Sequence, residues 1–191
     1  MICITVQHKS ILNRLRLGGQ YNATLSNVPS TILKRSYDTM SKEYGWTSCP
    51  IFLAPVDYRV NIYGAKLSDD SIGLVLNVPD EIVKIQRYYD WTDFIYYTEM
   101  TDEWDSEIPF SDFILSVLHP SDINKDDVVQ VTVPYILENW ILGIVVDLSY
   151  FSKYDGSGGK YILSLDEFEI QAYSSRQSKG SMLDCISNMS I

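Results

Sequence analysis

The sequence predicts a single α+β domain, a mixed or antiparallel sheet with helices packed on it, and three observations carry that expectation. Short β-branched runs are interspersed with stretches whose apolar residues recur at helical spacing. At 191 residues and 46% hydrophobic content the chain can bury a substantial core without disulfides or metals. There is no internal repeat, and Ser, Gly, Asn and Pro punctuate the runs where turns belong.

In chain order, Ile2, Ile4 and Val6 alternate with Cys3 and Thr5, which suits a buried strand. Ser10 is placed to cap a helix carrying Ile11, Leu12, Leu15 and Leu17, and Gly18-Gly19 ends it. After a turn at Asn27 to Ser30, with Ser30 or Thr31 as N-cap, Ile32, Leu33, Tyr37, Met40 and Tyr44 predict a second helix up to Gly45. Cys49 to Val56 is an apolar run bracketed by Pro50 and Pro55, expected as a strand at an end or edge position. Ile72 to Val78 reads as another strand.

Pro79-Asp80-Glu81 resembles a helix start, so a helix is expected through Ile82, Val83, Ile85, Tyr88 and Tyr89, with a further short one over Trp91 to Tyr97. Asp112 to Leu118 predicts a helix stopped by His119-Pro120. Val128 to Val133 and Leu142 to Leu148 read as strands, with Pro134 to Trp140 as a helical turn that reverses the chain. Asp155-Gly-Ser-Gly-Gly is expected as a loop, Tyr161 to Leu165 as a short strand, and 174–191 as a loose tail following the domain at 1–173.

Charge is distributed unevenly. The net charge is −10, and the segment from Asp80 to Asp127 holds thirteen acids against Lys84, Arg87 and Lys125, which accounts for all of it. Direct binding to a nucleic-acid backbone is therefore not expected. Glu99, Asp102, Glu103, Asp105, Glu107 and Asp112 follow one another with no base between them. Two readings stay open: a surface that binds a basic partner, by imitating nucleic acid for instance, or a solvated face that keeps an aromatic-rich segment soluble. Tyr88, Tyr89, Trp91, Phe94, Tyr96, Tyr97 and Trp104 lie beside these acids and suit either core packing or a contact surface.

Cys3, Cys49 and Cys185 have no CxxC spacing and read as reduced thiols. With no signal-peptide core at the N-terminus and no apolar run near the roughly 20 residues a bilayer needs, a cytoplasmic protein is expected, with no membrane contact. His8 and His119 lack metal-ligand spacing to other donors, so no metal site is assigned. No GxSxG elbow, phosphate loop or GxGxxG turn is present.

The succession Thr5-Val-Gln7, Leu15-x-x-Gly18-Gly19-x-Tyr21, Cys49-Pro-Ile-Phe, Leu76-x-Val78-Pro79-Asp80-Glu81, Tyr89-Asp90-Trp91-x-Asp93 and Val129-Gln130-Val-Thr-Val-Pro134-Tyr-Ile-x-x-x-Trp140-Ile resembles an uncharacterised family of small bacterial and phage proteins. More distantly, the layout is similar to ADP-ribosyltransferase-like domains. That likeness implies an NAD-like nucleotide as substrate or ligand, held by Gln7 or His8, Tyr21 and Tyr37, with Gln130 in the place of the catalytic acid. It implies a cleft between strands 2–6 and 128–133. A neutral Gln130 supplies no charge to stabilise an oxocarbenium-like ribose, so turnover would be inefficient. The other expectation is a non-catalytic protein, of the phage counter-defence kind, that blocks a basic partner through Glu99, Asp102, Glu103, Asp105 and Glu107. On the plain reading Gln7 and Gln130 are ordinary strand residues on a solvated edge.

Overall fold

The computed structural model describes residues 1–24, 33–61, 68–100, 104, 106–149 and 161–173. It is an α+β fold built on a mixed sheet. Strands β1 (Ile2–His8), β3 (Ile51–Pro55), β4 (Arg59–Val60), β5 (Ser71–Asn77), β6 (Lys84–Arg87), β7 (Val128–Val133), β9 (Ile141–Val145), β10 (Tyr161–Ile162) and β11 (Ile170–Ala172) form one sheet, and β2 (Gln20–Asn22) pairs with β8 (Tyr135–Leu137) as a separate ribbon. The order across the main sheet is β10-β4-β7-β3-β1-β5-β9-β11, with β6 also on β7. Among the described residues only the β4–β7 pairing is parallel.

The helices are α1 (Ser10–Gly18), α2 (Lys34–Glu43), α3 (Tyr88–Ile95) and α4 (Phe110–Leu118), and α3 runs on into a π-helical turn at Tyr96–Met100. Strand periodicity decides which side each residue serves. Cys3, Leu53, Leu74 and Val131 face one way and pack with Ile11, Leu12 and Leu15 of α1 and with Ile136 and Trp140 beside the ribbon. On the other side, Ile4, Val75 and Val145 meet Leu163 and Phe168. Further along that side, Phe52 packs with Met40, Trp91, Phe94, Val117 and Leu118 from α2, α3 and α4.

Several expectations are corrected. The helix predicted from Pro79 is instead a turn followed by β6, because Lys84 to Arg87 pairs antiparallel along β7 and sinks Gln86 into the core. Pro134 to Trp140 is not one helical turn: β8 pairs with β2, and only Glu138–Trp140 is 3₁₀. The proline-bracketed strand β3 lies inside the sheet between β1 and β7; its prolines stand at its ends, where they interrupt few ladder bonds. Ser10 does not cap α1 with its side chain, since its hydroxyl meets His8 Nδ1 at 2.8 Å. The predicted N-caps Ser30 and Thr31, the glycine loop and the tail lie outside the described residues.

Candidate functional site

A polar layer lies between β6, β7 and the helices above them. Gln86 is fully buried, and its Nε2 donates to Tyr44 Oη at 2.8 Å and to Thr132 Oγ1 at 3.1 Å. Tyr44 Oη in turn donates to the Leu118 carbonyl at 2.7 Å, at the end of α4. The Lys84 ammonium sits over the Tyr44 ring at 5.6 Å, and His119 meets that ring edge-on while its Nε2 lies 3.2 Å from Glu43. One side chain, Tyr44, thus ties α2 and α4 to the sheet. Gln130, opposite Gln86 in the β6–β7 register, has its amide nitrogen enclosed without a hydrogen-bond partner. An enclosed, unmatched donor costs about 1–3 kcal/mol.

The residues expected to hold a dinucleotide do not form one cleft. β3 separates β1 from β7. Gln7 alternates with Cys3 and Thr5 on the α1 side, whereas Gln130 alternates with Thr132 on the side of Phe52 and the helical layer, so the two side chains face opposite ways. Gln7 Nε2 donates to Thr5 Oγ1 at 2.9 Å, and Thr5 Oγ1 donates to the Phe52 carbonyl at 3.1 Å. His8 is exposed and receives the Ser10 N–H at 3.1 Å, at the start of α1. Tyr21 packs against the α1 core, with the Arg14 guanidinium 5.7 Å from its ring centre. Tyr37 lies against Phe52 at 5.3 Å and Trp91 at 6.3 Å. Tyr21 and Tyr37 thus belong to different clusters, Tyr21 to the one around α1 and Tyr37 to the one beneath α2, α3 and α4.

Burial also fixes protonation here. It pushes the Cys3 thiol and the Tyr37 hydroxyl each up to about 12, and raises Tyr44 further still. The fold therefore keeps protons that an unfolded chain releases from about 9 for cysteine and 10 for tyrosine, so it binds more protons across that window. Stability should be flat below that window and fall as pH rises through it, which urea midpoints measured from neutral pH to about pH 11 will report.

Within the acidic segment the outcome is mixed. Glu99 is corrected: its side chain is only 4% exposed, and the carboxylate accepts from the Ser36 N–H at 2.5 Å and Ser36 Oγ at 2.9 Å, with Arg35 Nε 3.6 Å away. It satisfies the first turn of α2, where unpaired N–H groups and the helix dipole favour an anion, and is not part of a solvated face. Glu107 and Asp112 are exposed as expected, whereas Asp102, Glu103 and Asp105 lie outside the described residues. In the same segment Trp104 packs against Tyr97 at 4.7 Å, Phe110 at 5.2 Å and Phe113 at 4.7 Å, and its Nε1 donates to the Ile108 carbonyl at 2.5 Å.

The sequence reading missed a feature of α3. Tyr89 and Asp93 of α3 and Tyr96, the first residue of the π-helical turn, are exposed, the tyrosines at 50% and 53%. Their spacing of four and then three residues is the signal, but it is legible only once the helix begins at Tyr88 and not at Pro79.

Among the described residues no group of acids, histidines or cysteines is placed to hold a metal, and no helix is long and apolar enough to cross a membrane. No family model, curated protein or solved structure matches the chain.

Proposed function

We propose that this protein works by binding, with the face formed by α3, the π-helical turn and α4 engaging a basic protein. One observation carries the reading. Of the seven large apolar or aromatic side chains exposed among the described residues, four (Tyr89, Tyr96, Ile108 and Leu115) fall in the acidic segment, among Asp93, Glu107 and Asp112. A purely solubilising face has no need of exposed apolar groups, whereas an interface core uses them and a charged rim steers the partner. Binding to a panel of purified basic proteins should include at least one complex that weakens steeply between about 50 and 300 mM salt. That complex should be lost when Asp102, Glu103, Asp105, Glu107 and Asp112 are changed to their amides. Binding unaltered by both changes would sink the proposal.

A nucleotide site is the second reading, favoured by the enclosed, unpartnered amide of Gln130. Such a site has to be built on the helical side of β7 without Gln7. NAD or ADP-ribose should then raise the melting temperature in a saturable way that Gln130→Ala abolishes.

A further inference from the structure

We propose that the outer ridge of α3 (Tyr89, Asp93 and Tyr96) is a seat for arginine side chains of the basic partner; the inference rests on the binding reading above and names the chemistry of its contact. Helical rise spreads the ridge over about 10 Å from Tyr89 to Tyr96, with Asp93 between them along the helix. Each exposed ring is braced by a half-buried neighbour: Tyr89 meets Tyr88 edge-on at 5.7 Å, and Tyr96 meets Tyr97 edge-on at 5.2 Å. Bracing removes part of the ordering cost that an exposed side chain otherwise carries into a complex.

Two described cations on neighbouring elements, Arg87 just before α3 and Arg35 on α2, are already engaged. Arg87 lies 3.6 Å from Asp90 and 3.3 Å from Asp127, and Arg35 lies 3.6 Å from the buried Glu99. Asp93, by contrast, is exposed and in no ion pair among the described residues. An aromatic face beside an open carboxylate suits a guanidinium, which stacks through its plane while its N–H fork meets the carboxylate; a lysine ammonium is a compact, strongly hydrated point charge that gains less from the rings. A second copy of this chain is a poor occupant, because it brings a net charge of −10 against the same sign.

The test is fluorescence anisotropy at about 50 mM salt with two nonapeptides of equal length and charge, one alternating arginine with glycine and the other lysine with glycine. The arginine peptide should bind at least about fivefold more tightly. That preference should vanish in Tyr96→Ala and in Asp93→Asn, and persist in Tyr96→Phe and in Asp69→Asn, an exposed acid outside the acidic segment. Equal, salt-sensitive affinity for the two peptides overturns the ridge while leaving the acidic-face reading in place. If neither peptide binds the wild-type protein, both fall together.

Discussion

Phe94→Ala should lower folding stability by about 3–5 kcal/mol, the usual cost of emptying a buried phenylalanine site. Phe94 is fully buried, stacks on Trp91 at 5.1 Å, and belongs to the cluster that joins α2, α3 and α4 to Phe52 of the sheet. These three helices share few apolar anchors with the rest of the core, so the space left by the ring cannot be filled by a rigid shift of one element. The same residue fixes the far side of α3, and the truncation should therefore weaken any complex made through Tyr89 and Tyr96 without touching either ring. Tyr96→Ala, at an exposed position, should change stability by no more than about 0.5 kcal/mol. Urea denaturation of the two variants separates a helix held in place from a helix that makes contact.

Gly73→Ala is the second large effect, expected at about 1–3 kcal/mol or more from overpacking. A β-carbon at Gly73 would lie 2.6 Å from Val145 Cβ and 3.0 Å from Leu148 Cδ2. The Val145 atom is the fixed stem of its side chain, so the clash is relieved only by moving β9 away from β5, two interior strands that pair at this residue. Gly18→Ala provides the control, since nothing lies within 4 Å of the added carbon. There the substitution should leave stability unchanged or slightly raised, because alanine favours the helix by about 1 kcal/mol over glycine. Thermal melts of the two alanine variants should move in opposite directions or by very different amounts.

Local pattern determined much of this protein. Val128–Val133 stands as a strand with the bounds its β-branched alternation predicts, and α1 ends where Gly19 takes a left-handed conformation and returns its N–H to the Leu15 carbonyl. The uneven charge and the α+β class are likewise properties of composition and periodicity. What the tertiary structure decided is everything that depends on a distant partner. Pro79 to Tyr89 carries the marks of a helix start, yet the edge of β7 took Lys84–Arg87 as a strand, because sheet pairing satisfies its backbone while burying Gln86 and packing the half-buried Ile85 against the core. Glu99 looks like one more surface acid until α2 places the Ser36 N–H against it. Gln7 and Gln130 sit in strands that the sequence predicts, but their facing follows from register across β3, and a register differing by one residue would have turned either side chain to the other face. Register is set by contacts some fifty and eighty residues away along the chain, and no local spacing encodes it.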